Sequence, residues 1–306
     1  MSILIFSGLP ASGKTRRALE WVAEDPLHRC RINFDDLRME LFGCKGTTYF
    51  SHPQKLVRDR ERQMKGLARV RALEFLGANP LEHSIVIDNT NLTESSRAPW
   101  VEMGRHFGIP VEQHDVDTPV HECVERDRLR QGDDRVGRAV IERMALTTGW
   151  VSWEDQEVYP HERYLICDVD GTIADTSRRR HFVDQKPKDW DGFFKDVAND
   201  EPIKPIVDLL EVLSPSYNVI IMSGRPIDKC GLATEDWLYK HLSKVTWRHL
   251  FMRSSGDKRP DTEIKMELLE YLPKHRVALV LDDRDIMCKA WRDAGLICLQ
   301  CAPGAF

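Results

Sequence analysis

The chain has 306 residues, 42% of them hydrophobic and 30% charged, a soluble globular composition with room for about two domains. Its formal net charge of -5 argues against a protein that coats nucleic acid non-specifically but leaves room for a local basic groove. No apolar run reaches the roughly 20 residues of a membrane span, and a chain of this size builds a core without help from its eight scattered cysteines.

The first residues, Met1 to Phe6, enter a strand-like run with no basic leader or cleavage site, so a cytoplasmic protein is expected. Strands are expected at 2–7, 29–33, 84–88 and 111–116, and helices at 13–24, 35–42, 54–77, 93–107, 119–130 and 137–147. The charged helix 54–77 offers Leu56, Met64, Leu67, Val70, Leu73 and Leu76 as its buried stripe. Strand–helix alternation predicts a mainly parallel, doubly wound α/β sheet covered on both faces.

Between the first strand and helix lies Gly8-Leu9-Pro10-Ala11-Ser12-Gly13-Lys14-Thr15, a phosphate-binding loop in its proper context. Gly8 and Gly13 let the backbone, with Ser12, curl its N–H groups toward a β-phosphate, where the helix N-terminus adds its positive end. Lys14 reaches the β- and γ-phosphates of ATP, and Thr15 can ligate Mg²⁺. At the end of the second strand, Asn33-Phe34-Asp35-Asp36-Leu37-Arg38 supplies a carboxylate that either caps the next helix or accepts the proton of an attacking hydroxyl. The third strand ends in Asp88-Asn89-Thr90-Asn91, which either holds metal-bound water or an acceptor hydroxyl, or satisfies a turn. Arg126, Arg128, Arg130, Arg135 and Arg138 flank a loop. Arginines on a flap can neutralise a transferring phosphoryl group, and a solvated helix face accounts for the others.

Residues 149–162 break the pattern and read as a linker between domains at 1–148 and 163–306. In the second domain, strands are expected at 163–168, 217–222, 246–251 and 277–282, and helices near 204–213, 232–241, 262–271 and 284–294. The strand before Asp168-Val169-Asp170-Gly171-Thr172 makes this segment similar to the first motif of the haloacid-dehalogenase phosphatases. That resemblance implies a Rossmann-like fold in which Asp168 attacks phosphorus, and Asp170 protonates the leaving oxygen and then activates water. Ser223-Gly224-Arg225 would hold the substrate phosphate. Lys265 would neutralise it, and Asp282-Asp283 would hold one Mg²⁺ with Asp168 and Asp170. The insert from Asp175 to Asp200 carries Arg178-Arg179-Arg180 and Trp190. It makes only a small cap, so an open site for a polymer end is expected; its arginines and Trp190 either contact phosphates and stack on a base, or form a packed insert with a solvated basic edge. Cys298-Leu299-Gln300-Cys301 lacks a second ligand pair and reads as packing near a last strand.

Taken together, the loop, N-x-D-D-x-x-R, D-N-T-N, the arginine flap and the D-x-D-G-T domain resemble the bacteriophage polynucleotide 5′-kinase/3′-phosphatases over nearly the whole chain. The resemblance implies that Asp35 is the general base on a 5′-hydroxyl and Arg38 binds the acceptor phosphate. It places Arg126 and Arg130 in a lid over the triphosphate. A phage relative has Ser-Asp-Thr-Asn in place of Asp88-Asn89-Thr90-Asn91, leaving the acceptor-side role open between Asp88 and Asn89. The function implied is healing of DNA or RNA ends, with 2′,3′-cyclic phosphate as a further candidate substrate. Hand-off to a ligase and room for a homo-oligomer follow from the same likeness. The competing readings are a small-molecule kinase fused to a metabolite phosphatase, and a nucleotide-binding module with dead sites.

Overall fold

A computed structural model describes residues 1–79, 82–150 and 163–304. Apart from Gly149 and Trp150, the expected linker lies outside the described residues. Packing divides the chain into two compact units, Met1–Val136 and Gly137–Phe306.

In the first unit, strands β1 (Ile3–Ser7), β2 (Arg29–Ile32), β3 (Ser84–Asp88) and β4 (Val111–Asp115) alternate with helices α1 (Lys14–Glu24), α2 (Phe34–Phe42), α3 (Gly46–Phe50), α4 (Gln54–Ala78), α5 (Glu94–Phe107) and α6 (Val120–Arg128). The strands form one parallel sheet in the order β2-β3-β1-β4. Alternate residues of β1 and β3 face opposite layers, as the period of a strand requires. Ile3, Ile5, Ile85 and Ile87 pack with α4 and α5, while Leu4, Phe6 and Val86 pack with Ala18 of α1.

The buried stripe of α4 is the expected one in part. Met64 and Leu76 are buried and Leu67 packs partly buried against the same core, but Ala68 and Ala72 complete the stripe while Leu56, Val70 and Leu73 are exposed. Positions four apart share a helix face, and two alanines on that face let the helix backbone lie close to its neighbours. A search for large side chains passes over them.

The second unit begins with α7 (Arg138–Thr147), followed by β5 (Tyr164–Cys167), β6 (Ala174–Asp175), α8 (His181–Asp184), α9 (Trp190–Lys195), β7 (Glu201–Pro202), α10 (Lys204–Leu213) and β8 (Asn218–Pro226). Then come α11 (Ile227–His241), β9 (Trp247–Arg253), α12 (Asp261–Glu270), β10 (Val277–Asp282), α13 (Asp285–Asp293) and β11 (Cys298–Gln300). Five of these strands form a parallel sheet, β11-β10-β5-β8-β9, and β6 pairs antiparallel with β7 beside the small α8–α9 insert. Leu165, Cys167, Val219 and Ile221 face one core with Trp237 and Leu210. Tyr164, Ile166 and Ile220 face another with Leu268, Met287 and Trp291. Cys298 is buried in that second core.

Helix α7 packs with this second unit, so the division by packing falls before the boundary at 148 expected from the alternation. The reason is an open sheet edge. β9 ends the strand order, and an edge strand leaves unpaired N–H groups. Glu142 Oε2 accepts the Leu250 N–H at 3.0 Å, and its other oxygen lies 3.1 Å from both Arg138 and His249. Arg138 was grouped with the flap in the sequence. Here it is held by Glu142 and donates to the Arg248 carbonyl at 2.7 Å and to the Tyr239 hydroxyl at 3.1 Å.

Candidate active sites

Each unit gathers its phosphate chemistry at the carboxyl end of a parallel sheet, where such folds bind ligands. In the first, Gly13 stands before α1 with φ of 102°, and Gly8 N–H donates to the Thr90 carbonyl at 2.9 Å. Lys14 Nζ donates to the carbonyls of Gly8 and Leu9 at 2.9 and 2.6 Å and lies 3.2 Å from Ser12 Oγ. Burial lowers the Lys14 pKa to about 8, against the pull of Asp88. Thr15, in the first turn of α1, is exposed. Arg126 reaches the Ser12 carbonyl at 3.4 Å and pairs with Glu122 at 2.7 Å. Arg130 donates to the Asp134 carbonyl at 3.3 Å.

The start of α2 is capped by the neighbour of Asp35 rather than by Asp35 itself. Asn33 is the cap, and its Oδ1 accepts from the N–H groups of Asp35 and Asp36 at 2.9 and 3.0 Å. The Asp35 carboxylate is therefore spared that role. Its side chain is 55% exposed and accepts from Arg38 at 2.6 Å. Arg38 also pairs with Glu61 at 2.8 Å, which fixes it between α2 and α4.

The D-N-T-N segment is tied into the scaffold at the end of β3, while Asp88 Oδ1 and Asn89 Nδ2 keep no hydrogen-bond partner among the described residues. Asp88 is buried and accepts from Arg31 Nε at 2.9 Å, while Asn33 Nδ2 donates to the Asp88 carbonyl at 2.5 Å. Asn89 Oδ1 accepts the Phe34 N–H at 2.8 Å. Asn91 staples β1 to β3 by donating to the carbonyls of Phe6 and Ile87 at 2.8 and 3.2 Å. These bonds set the start of α2, and so the place of Asp35. Arg31, which the sequence did not single out, also pairs with Asp36 at 2.6 Å.

In the second unit, Asp168 at the end of β5 is buried against Lys265 of α12, whose Nζ lies 2.6 Å away. Lys265 also donates to Asp282 Oδ2 at 3.0 Å. Burial opposes the charge on Lys265, yet Asp168 and Asp282 outweigh it and raise the pKa well above the ordinary lysine value. Burial, with Asp282 and Asp283, pushes Asp168 above the carboxylate range against Lys265. Asp283 is raised to about 6, first by burial and then by Asp282. Oxygens of Asp168, Asp282 and Asp283 lie within 4.8 Å of one another. Three carboxylates against one ammonium leave two negative charges, which one hard divalent cation would balance with ligands of the type it prefers. Gly171 has φ of 82°, and a Cβ there would fall 2.2 Å from Asp283 Oδ2, so glycine is required both for the turn and for the approach of that carboxylate.

The Asp170 side chain belongs to a different set from the one expected. It sits outside this carboxylate cluster, held by Arg225 at 2.7 Å and in contact with Arg179. Burial would raise its pKa, but Arg225 and Arg179 hold it at about 2. Arg225 and Arg179 also share Asp200, at 2.8 and 2.7 Å, and Trp237 Nε1 donates to the Asp200 carbonyl at 2.7 Å. Arg225 is thus a holder of Asp170, fully buried, rather than an open contact for substrate. Arg178 and Arg180 pair with Asp196 and Asp184, so of the three consecutive arginines only Arg179 turns into the site. The buried Ser223 Oγ accepts from the Arg225 N–H at 3.2 Å, and Gly224 makes room for Asp261, whose Oδ1 would lie 2.0 Å from an added Cβ. Asp261 pairs with Arg253 and Arg284 at 3.1 and 3.3 Å.

Comparison with known proteins also divides the chain in two, with the break between 148 and 162 that the sequence predicts rather than at 136. Residues 3–148 match the family described as an AAA domain, and residues 162–306 match the polynucleotide kinase PNKP phosphatase domain. Among solved structures, the chain is similar to one in a Pnkp1/Rnl/Hen1 complex, at 24% identity over 100% of this chain and 97% of that one, with a TM-score of 0.40. The APS kinase CysC of Mycobacterium tuberculosis matches 42% of this chain and 69% of its own at 21% identity and a TM-score of 0.30. The haloacid dehalogenase-like protein SP0104 of Streptococcus pneumoniae matches 45% of this chain and 83% of its own at 15% identity and a TM-score of 0.32. Among the described residues no helix is long and apolar enough to cross a membrane. The chain thus joins a P-loop domain of the AAA type to a phosphatase domain of the polynucleotide kinase family, the two activities of a bifunctional enzyme that heals nucleic-acid ends.

Proposed function

We propose that the first unit transfers the γ-phosphoryl group of ATP to a 5′-hydroxyl through Asp35, and that the second hydrolyses a 3′-phosphate through Asp168. The observation that carries this is an exposed carboxylate, relieved of helix capping and held by Arg38, in the unit that bears the phosphate loop, together with a buried carboxylate–lysine pair in the other unit. The first suits an acceptor arriving from solvent, and the second a covalent intermediate.

In the kinase step the Asp35 carboxylate accepts the hydroxyl proton, the 5′-oxygen bonds to the γ-phosphorus, and the bond to the β-phosphate oxygen breaks to release ADP. Lys14, Arg126 and Arg130 neutralise charge on the phosphates, and Arg38 meets the acceptor phosphate. In the phosphatase step an Asp168 oxygen bonds to phosphorus as the bond to the 3′-oxygen breaks, and Lys265 offsets the phosphoryl charge. Water then attacks phosphorus to free phosphate and restore Asp168. Asp170, ionised between its arginines, is ready to take the proton of that water. To protonate the leaving 3′-oxygen first, it has to gain a proton as substrate enters. Mg²⁺ held by Asp168, Asp282 and Asp283 would supply further neutralisation of the phosphoryl oxygens, and Thr15 would ligate Mg²⁺ beside ATP.

The products, a 5′-phosphate and a 3′-hydroxyl, are the ends a ligase consumes, so hand-off to a ligase follows from the chemistry. A small-molecule kinase fused to a metabolite phosphatase is not favoured, given the family of the second domain. The test is an oligonucleotide with 5′-hydroxyl and 3′-phosphate ends, incubated with ATP and Mg²⁺ while each end is tracked. Gain of 5′-phosphate and loss of 3′-phosphate are expected. Turnover of nucleosides or sugar phosphates alone would overturn the reading.

A further inference from the structure

Helix α3 lies between two parts of the kinase site that sequence motifs treat separately. On one side it meets the segment after α6, where Gly132–Asp134 forms a single 3₁₀ turn. Lys45, just before α3, pairs with Asp134 at 2.6 Å. Thr48 donates to Asp133 Oδ1 twice, from Oγ1 at 2.5 Å and from its backbone N–H at 3.3 Å. Gly46 has φ of 51°, and a Cβ there would lie 2.0 Å from the Asp133 carbonyl oxygen, so the turn rests directly on backbone that only glycine leaves bare. On the other side, the buried Tyr49 and its neighbour Phe50 lie under the Arg38 guanidinium, 5.3 and 5.1 Å from their ring centres. Arg38 in turn holds Asp35.

The grip reaches a functional side chain in one step. Arg130 donates to the carbonyl of Asp134, the residue that Lys45 holds by its carboxylate. Lys45 is also near the acceptor side: the hydrogen bond to Asp134 raises its pKa against a burial cost, and the charges of Asp35 and Asp36 add to that. Packing alone would be served by apolar contacts. Here the contacts to the turn are charged or hydrogen-bonded and partly exposed, a costly way to fill space and an effective way to fix a direction.

We propose that the α3 segment is the seat of the arginine lid, with Lys45 and Thr48 acting as positioning residues that orient Arg130 through the Asp133–Asp134 turn. This rests on the kinase reading above. Arg130 then approaches the transferring phosphoryl group in a direction set by the same short helix that packs on the Arg38–Asp35 pair. Donor and acceptor sides are aligned by one element.

The test compares 5′-phosphorylation kinetics of the full chain with those of Lys45→Asp, Asp134→Lys, the double exchange Lys45→Asp/Asp134→Lys, and Thr48→Val, each also made on an Arg130→Ala background. The wild type must first phosphorylate 5′-hydroxyl ends, and its failure would refute the kinase reading rather than this one. Each single change is expected to lower kcat about tenfold through misplacement of a charge-bearing group, with KM for ATP within about twofold. The double exchange should recover most of the loss. On the Arg130→Ala background the same changes should cost almost nothing, because they act through that residue. The melting temperature and the ATP affinity of each protein serve as the check that its kinase unit is folded. Unchanged kcat in the single variants, a loss that persists in full without Arg130, or no recovery in the double exchange would each overturn the proposal.

Discussion

The two sites handle the same group by opposite means. In the phosphatase unit the charges are interior: Asp168 has a side chain only 6% exposed, and Lys265, Arg179 and Arg225 are more deeply buried still. Every charge is held by another, and the pKa values are driven far apart, with Asp170 near 2 and Lys265 well above its usual range. In the kinase unit, of the groups proposed to act on the phosphates or the acceptor, Lys14 is buried. Asp35, Arg126 and Arg130 are at the surface and held mainly by neighbours on their own helix or turn. A site that forms a covalent bond to its own carboxylate gains from rigid preorganisation. A site that must bring two substrates together gains from parts that can close over them.

The sharpest way to break this comparison is Asp168→Asn. The amide cannot form an acyl-phosphate, so phosphatase activity should fall to background while the kinase is untouched. Rapid acid quench with a 3′-phosphate-labelled strand, followed by hydroxylamine, reads the intermediate directly. Labelling of the variant at the wild-type level would remove Asp168 from its role. Because Lys265 would lose a charged partner in a buried setting, a lower melting temperature is expected as well.

Next in size is Asp35→Asn, expected to lower 5′-phosphorylation by roughly 10²–10⁴-fold. Since Asn33 makes the cap, the melting temperature should not move. Asn33→Ala should do the reverse in stability, costing about 1 kcal/mol. A stability loss at Asp35 equal to that at Asn33 would return Asp35 to a structural role.

The two lysines give the comparison a pH axis. Lys14 titrates near 8 because burial disfavours its charge, whereas a bound triphosphate would favour it. In the free protein its folded pKa is lower than the unfolded value, so the cost of burying its charge is relieved as pH rises through 8. By the same linkage, ATP binding must take up a proton above that pH, and affinity should fall by up to about tenfold per pH unit beyond 8. Lys265 is raised, so the phosphatase should show no such loss from its lysine over that range. Titration calorimetry in buffers of different ionisation enthalpy measures the proton uptake. Lys14→Arg, charged throughout, should abolish it.

Much of this architecture is legible in the chain because strand-end motifs fix both the sheet and the site. The phosphate loop announces β1 and α1, and Asp168-Val169-Asp170-Gly171-Thr172 announces β5. What could not be read depends on direction. Among Arg178, Arg179 and Arg180, only the fold determines which one turns inward, and only Asp200, 21 residues on, explains why. Part of the α4 face escapes because Ala68 and Ala72 carry no large apolar group. Asp88 and Asn89 are polar at a strand end, and the sequence does not show that their bonds to Arg31, Asn33 and the Phe34 N–H also set the start of α2. Helix α7 reads as the last helix of the first domain, since its attachment to β9 depends on which strand is left at the sheet edge.

The smallest effect is expected at the exposed Trp190 of the small α8–α9 insert. Trp190 is 50% exposed and stacks on Phe194 with ring centres 5.9 Å apart. Lys188 lies 5.5 Å from its ring centre. Its edge contact with Phe193 continues to Arg179, 4.1 Å from the Phe193 ring centre, and so to Asp170. One face is already taken, so a base stacked on the other should contribute near the low end of the usual range, about 1 kcal/mol, or roughly fivefold. Trp190→Ala should therefore lower kcat/KM for a 3′-phosphate oligonucleotide by that factor through KM. For p-nitrophenyl phosphate, which has no neighbouring base, the rate should stay at the wild-type value. If both substrates slow equally, Trp190 is holding Phe193 and Arg179 in place, and the cap belongs with the rigid interior rather than with the substrate.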